Sequence, residues 1–126
     1  MLKKIDSVIL HVSDMAEALD FYSDVFGLKP IWQDERAGEA GLLFLGSDSV
    51  LVLHANPISP GQVEVRYLVD DVPAAIQRYT DQGCKVLVEP FDVHRGRGAI
   101  IQDPFGMQIC IVDKSRGKAE RDLLQG

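Results

Sequence analysis

The chain has 126 residues, of which 46% are hydrophobic and 25% charged, as expected for one soluble globular domain with a sizeable core. Its net charge of −6 argues against nucleic acid and anionic membrane surfaces as partners, because both attract basic proteins. The sequence contains no apolar run of the ~20 residues that a membrane-spanning helix needs, and no signal-peptide pattern. Its two cysteines do not suggest a disulfide framework, so a cytoplasmic location is expected.

Residues 5–28 predict one strand that runs directly into one helix. In Ser7–Val12, apolar Val8, Leu10 and Val12 alternate with the other residues, which is the period of a strand. After Asp14 the apolar residues fall at helical spacing, with Asp14 as the N-cap and Gly27 just beyond the C-terminus. These residues therefore form a βα unit.

Residues 63–83 repeat this βα unit at a constant offset along the chain. Val8, Leu10 and Val12 correspond to Val65, Tyr67 and Val69, and the two N-caps correspond as Asp14 and Asp71. The repeat predicts two copies of one supersecondary unit, although two unrelated βα units remain the alternative.

The remaining segments complete two βαβββ modules. Strands are predicted at residues 28–33, 41–45, 50–54, 85–88, 98–102 and 107–112, with loops at residues 34–40 and 89–97. The segment 56–61, which contains two prolines and a glycine, marks the boundary between the modules. We expect one domain over residues 1–113, with modules at about 1–57 and 61–113, and a polar tail at residues 114–126.

One face of each predicted sheet packs on its helix, and the opposite face mixes polar and apolar side chains. That opposite face carries Ser7, Ile9, His11, Val52, His54, Glu64, Arg66, Leu68, Gln108 and Cys110. Such a mixture is typical of a concave surface that binds a ligand, although antiparallel sheets also expose one face to water.

Short motifs in both modules resemble those of a known superfamily. They are Val12-Ser13-Asp14, Phe21-Tyr22 and Phe26-Gly27-Leu28 in the first module, and Val69-Asp70-Asp71-Val72 and Ile101-Gln102-Asp103-Pro104-Phe105-Gly106 in the second. Over residues 5–113 the sequence resembles the vicinal oxygen chelate superfamily, which comprises the glyoxalase, bleomycin-resistance and extradiol-dioxygenase proteins. The resemblance implies an α+β fold of tandem βαβββ modules that form a half-open barrel around a cavity, and a homodimer.

The same resemblance implies a divalent metal site, which this sequence does not reproduce. The family's four ligand positions correspond here to Ser7, Val52, Glu64 and Cys110, of which only Glu64 and Cys110 remain as candidate ligands. A catalytic metal needs about three protein ligands and one open position. We therefore predict no cofactor and no metal at the usual site. The alternative is a divalent metal at a displaced site formed by His11, His54 and Glu64.

The predicted ligand-binding residues come from the polar face just described. They are Ser7, His11, Val52, His54, Glu64, Arg66, Gln108 and Cys110. His11 and His54 could instead have a purely structural role. Arg66 could pair with Glu64 or bind a carboxylate or phosphate group, and residues 94–97 could form a basic lid or a solvated loop. No catalytic residue is assigned.

Three functions are compatible with the sequence. The first is a small-molecule-binding protein of the glyoxalase and bleomycin-resistance type that works without the usual metal. The second is a metal-dependent enzyme of the same fold, such as a lyase, isomerase, thiol transferase or dioxygenase. A dimeric interaction module with an empty pocket is a third alternative.

Overall fold

The computed structural model describes residues 1–116; residues 117–126, most of the predicted polar tail, lie outside the described part. The described residues divide into two compact units, residues 7–64 and residues 1–6 together with 65–116. Their helices and strands are, in chain order, β1 (Lys4–Val12), α1 (Met15–Asp24), β2 (Lys29–Asp34), β3 (Glu39–Leu43), β4 (Val50–Ala55), β5 (Val63–Leu68), α2 (Val72–Asp81), β6 (Lys85–Val93), β7 (Gly96–Gln102) and β8 (Gln108–Val112).

Each unit contains a four-stranded mixed sheet with one helix. In residues 7–64 the strand order is β2-β3-β4-β1, and in the other unit it is β5-β8-β7-β6. The first and last strands of each module, β1 with β4 and β5 with β8, pair in parallel, while the remaining pairs are antiparallel. The predicted α+β fold of tandem βαβββ modules is confirmed. In the described part of the chain, no helix is long and apolar enough to cross a membrane.

Both helices begin at the predicted aspartates. The Asp14 carboxylate accepts a hydrogen bond from the Glu17 N–H at 3.0 Å, and the Asp71 carboxylate accepts one from the Ala74 N–H at 2.9 Å. Each cap satisfies a backbone donor that the first helical turn leaves without an intrahelical partner. The position of each helix along the chain is therefore fixed locally.

The predicted apolar stripes of the helices form the two helix-side cores. Beneath α1, the buried residues Leu28, Leu42 and Leu53 pack with Leu10, Val12, Met15, Ala18, Leu19, Tyr22 and Leu51. Beneath α2, the buried residues Val69, Val72, Ala75, Ala99, Ile101 and Ile111 pack with Ile76, Tyr79, Cys84 and Ile109. Alternate strand residues point to opposite faces, so the helix-side residues also define the face away from the helix.

The predicted loop at residues 89–97 is wrong, because β6 continues to Val93 and β7 begins at Gly96. Pro90 is tolerated because β6 is an edge strand, where a missing N–H costs little. His94 and Arg95 form the tight turn, with Arg95 at φ 67° and His94 only 7% exposed. This segment is neither a lid nor a solvated loop.

Asp113, directly after β8, is the central polar group of its unit. Its side chain is fully buried, and it accepts hydrogen bonds from the backbone N–H groups of Val72 at 2.7 Å and Arg97 at 2.9 Å. Ser115 donates two more, from its N–H at 3.1 Å and its hydroxyl at 2.7 Å. Gly96 packs so closely against Asp113 that a side chain at position 96 would collide with its backbone carbonyl. One carboxylate thus ties together α2, β7 and the end of β8.

The Asp113→Asn variant tests this role. An amide keeps the shape but offers only one acceptor oxygen and places a donor against backbone N–H groups. We expect a loss of about 2–3 kcal/mol in the free energy of unfolding, measured by urea denaturation. The exposed turn variant Asp48→Asn should stay within about 0.5 kcal/mol of the wild type. Equal effects of the two variants would contradict the role assigned to Asp113.

The same carboxylate predicts how stability depends on pH. Burial raises the pKa of Asp113, but the hydrogen bonds from Val72, Arg97 and Ser115 outweigh burial and hold the pKa below its ordinary value of 3.8. A depressed folded-state pKa stabilises the fold above the unfolded pKa, and this stabilisation is lost as pH falls through the folded-state pKa. Below about pH 4, we expect the free energy of unfolding to fall more steeply in the wild type than in Asp113→Asn. Parallel acid limbs would contradict this assignment.

Candidate functional site

A row of polar residues crosses the sheet of residues 7–64 on the face away from α1. In the strand register, Asp34 lies opposite Glu39, Glu39 opposite His54, and His54 opposite His11. Residues directly opposite each other in neighbouring strands project from the same face. We call this side of the sheet the polar face. It is well shielded from water, since Glu39 is 2% and His11 is 9% exposed.

His11, His54 and Glu64 meet at one end of this row. The two imidazole rings are 5.1 Å apart between centroids and tilted by 59°. His11 Nε2 lies 3.8 Å from a carboxylate oxygen of Glu64, whose side chain is 25% exposed. The distance is too long for a direct hydrogen bond. The structure therefore brings together three residues that the sequence placed on one face.

The proline-containing segment 56–62 folds back along β1 and holds His11. The His11 N–H donates to the Gln62 carbonyl at 2.9 Å, and the Gly61 N–H donates to the His11 carbonyl at 2.8 Å. The Asn56 side chain lies 3.2 Å from His11 Nδ1 through its Nδ2 atom. This segment was predicted only as a module boundary. It is also a structural part of the site.

Trp32 forms an aromatic wall beside the polar row. It lies opposite Gly41 across β2 and β3, and its indole ring covers Gly41 so closely that no side chain fits there. Gly41 is in turn opposite Val52, which lies opposite Ile9, and both aliphatic residues are buried. The polar face thus combines an aromatic and aliphatic floor with a polar edge, the usual composition of a small-molecule site.

The predicted ligand-binding residues belong to both units of the structure. Within residues 7–64, Ser7 and Val52 are buried, and His54 and Glu64 are half-buried. In the other unit, buried Arg66 lies opposite buried Cys110, and Gln108, at the start of β8, is exposed. Ligand binding by these residues stays a prediction.

Glu39 is a residue of the polar face that sequence reasoning missed. The predicted loop at residues 34–40 is wrong at its end, because the turn closes at Gly38 and Glu39 is the first residue of β3. Gly38 has φ 68°, a left-handed conformation typical of the last residue of a hairpin turn. If Gly38 is recognised as the last residue of the turn, the strand is predicted to begin at Glu39. Glu39 then lies opposite His54.

The donor atoms present do not fit the divalent metal that the family resemblance implies. Val52 has no donor atom, and its backbone groups belong to the sheet. His11 faces Asn56 at one ring nitrogen and Glu64 near the other. Among residues 1–116, no group of three or more His, Cys, Asp or Glu side chains is arranged to hold a metal ion. We therefore derive no chemical step through a metal.

A separate open groove of about 620 Å³ follows α1. Its lining includes the carboxylates of Asp14, Glu17, Asp20 and Asp24 beside the ring of Phe21. None of the histidines lines it. Because this groove is shallow and its acidic groups are solvated residues of a helix surface, we assign it no part in small-molecule binding.

Comparison with known protein families gives one match over most of the chain. The model described as Glyoxalase/Bleomycin resistance protein/Dioxygenase superfamily matches residues 4–111. No curated protein sequence matches this chain significantly.

Solved structures share the fold at low sequence identity. Methylmalonyl-CoA epimerase from Mycobacterium tuberculosis has a TM-score of 0.70 and 24% identity, over 90% of this chain and 89% of that one. A methylmalonyl-CoA epimerase in complex with methylmalonyl-CoA and NH4+ has a TM-score of 0.69 and 21% identity, over 94% and 99%. The Mn(II)-bound glyoxalase from Novosphingobium aromaticivorans has a TM-score of 0.60 and 27% identity, over 97% of this chain but 42% of that one.

The contact between Trp32 and Gly41 can be tested by fluorescence, because Trp32 is the one tryptophan of the sequence. The Gly41→Ala variant places a methyl group where the indole lies, so we expect a shifted emission maximum and a loss of about 1–3 kcal/mol in stability. Gly98→Ala is the matched control, since its methyl group would meet Phe91 and Val93 instead. It should destabilise the protein without shifting the emission. An unshifted emission in Gly41→Ala would contradict the contact.

Proposed function

Because the chain belongs to the glyoxalase/bleomycin resistance protein/dioxygenase superfamily, we propose that its polar face binds a small organic molecule and does so without a divalent metal. The observation that carries this proposal is the cluster of buried His11 with half-buried His54 and Glu64 on the same face as Trp32. The apolar floor supplies binding energy and the polar edge supplies orientation.

The distribution of acidic and basic residues along the chain limits the chemical class of ligand that we propose. Residues 7–64 contain nine acidic and two basic residues, whereas the whole chain contains 19 acidic and 13 basic residues. The negative potential is therefore concentrated in the unit that contains the polar face. It favours neutral or cationic ligands over anions and steers cations towards this unit. Binding of an anion near Arg66 is the less favoured alternative.

The metal-free part of the proposal rests on the family's other ligand positions. Here these positions offer Ser7, Val52 and Cys110. A hydroxyl, an aliphatic chain and a soft thiol do not make a site for a hard divalent ion. The alternative is a metal-dependent enzyme, a reading to which the likeness to a Mn(II)-bound glyoxalase adds support. A homodimer and a cytoplasmic location stay predictions.

A thermal-shift screen tests the binding function. We expect neutral or cationic organic molecules to raise the melting temperature equally with and without EDTA, since a ligand at 100 times its Kd stabilises by about 2.7 kcal/mol. Trp32→Ala and Glu64→Gln should reduce the shift. The control Glu17→Gln, on the exposed side of α1, should leave it unchanged. A screen that finds no stabilising organic molecule would contradict the proposal.

Elemental analysis of the purified protein separates the two functions. Under the proposal, metal content is far below one equivalent, and Mn²⁺, Ni²⁺, Zn²⁺ and Fe²⁺ do not shift the melting temperature. One equivalent of a specific ion, stabilising in proportion to its concentration and lost in Glu64→Gln, would overturn the metal-free proposal. That result would favour the enzyme, with His11 and His54 as the partners of Glu64.

A further inference from the structure

The outer side of α1 exposes apolar side chains that the core beneath the helix does not use. Phe21, Val25 and Phe26 are 51%, 60% and 57% exposed, and we call these three residues the apolar patch. The ring of Phe26 meets the rings of Phe21 and Tyr22 edge-to-face, at centroid distances of 5.3 and 5.0 Å. Tyr22 is itself packed on the core beneath α1. These contacts hold the rings in place, so a partner that docks on them orders few additional side chains.

The apolar patch borders the open groove of about 620 Å³ that follows α1. Phe21 and Val25 belong to its lining, together with four exposed carboxylates, Asp14, Glu17, Asp20 and Asp24. No lysine or arginine of the described chain lines this groove, and the sequence has none between Lys4 and Lys29. The surface is therefore both aromatic and uniformly acidic.

The second module shows that the fold does not require this surface. At the offset of the repeat, Glu17, Asp20, Phe21 and Val25 correspond to Ala74, Gln77, Arg78 and Gln82, all of them exposed. α2 thus presents an ordinary solvated surface at the positions where α1 presents rings and carboxylates. Apolar side chains that are grouped and exposed on one surface mark a site of contact with a partner.

We propose that the groove along α1 docks an arginine-rich segment of a partner protein, independently of small-molecule binding on the polar face. Aromatic rings attract a guanidinium group through cation–π contacts, and the planar guanidinium also stacks on them. The carboxylates beside the rings accept hydrogen bonds from the same groups, often two in parallel. The 10 residues of α1 span about 15 Å, which is the length of about five residues of an extended chain.

Charge also favours such a partner over a second copy of this chain. In a twofold-symmetric contact, the same surface lies on both sides of the interface. Two copies of α1 would then bring their carboxylates against each other, and like charges in an interface disfavour association.

Peptide binding to the full chain tests the proposal. A hexa-arginine amide should bind about tenfold tighter than a hexa-lysine amide of the same charge, because only arginine stacks on the rings and pairs with carboxylates through two parallel bonds. In ¹H–¹⁵N NMR titrations, the largest shifts should fall on residues 12–25, which line the groove. Equal affinities, no binding, or shifts spread over every acidic part of the surface would overturn the proposal.

Variants of exposed residues then separate the rings from the carboxylates, and unchanged melting temperatures show that the variants fold. Phe21→Ala should abolish the preference for arginine, whereas Phe105→Ala, at an 88% exposed ring of the other unit, should keep it. Asp20→Asn should weaken both peptides more than Asp48→Asn, which removes the same charge from an exposed turn of the same unit. A preference for arginine that persists in Phe21→Ala contradicts the proposal.

Sedimentation velocity distinguishes the partner from a second copy. Under the proposal, the wild type and Phe21→Ala have the same oligomeric state. A dimer that becomes a monomer in Phe21→Ala would make this surface an interface between copies of the chain, and it would overturn the proposal. The screen for organic ligands concerns the opposite face of the sheet, so the failure of either proposal leaves the other standing.

Discussion

The parallel pairing of the first and last strand in each module is the constraint on which the rest of the structure depends. Parallel strands cannot be joined by a tight turn, so a helix and two antiparallel strands must lie between them. In residues 7–64, this pairing sets His11 directly opposite His54, although most of the module separates them in sequence. The same register aligns Glu39 with His54 from the other side. The polar row across the sheet is a direct consequence of this topology.

Buried polar groups in the two units are held in different ways. Asp113 receives four hydrogen bonds from three residues, all at 3.1 Å or less. Its acceptor capacity is used within the fold, so its role is structural. His11 is held by hydrogen bonds on its backbone and lies beside Asn56 at Nδ1, while its Nε2 atom lies 3.8 Å from a carboxylate oxygen of half-buried Glu64.

Sequence patterns that involve near neighbours predicted the helices and most strands well. Features that depend on residues distant in sequence were missed. The N-caps Asp14 and Asp71 and the helical stripes depend on neighbours a few residues away, and both are confirmed. The strand over Pro90 was missed because proline normally ends regular structure, and only its place at the sheet edge allows it. The period of two placed His11 and Glu64 on one face. The contact of Asn56 with His11 could not be predicted, because it depends on the boundary segment folding back along β1.

The two modules also act as an internal comparison. The offset that relates Val12 to Val69 relates His11 to Leu68, and the structure pairs Leu68 with Val112 just as it pairs His11 with His54. The second module therefore accepts an aliphatic pair at the position where the first module holds two imidazoles. Packing alone does not require histidines there. The second module keeps an aliphatic pair at this position, so the first module can carry different side chains there without loss of the architecture.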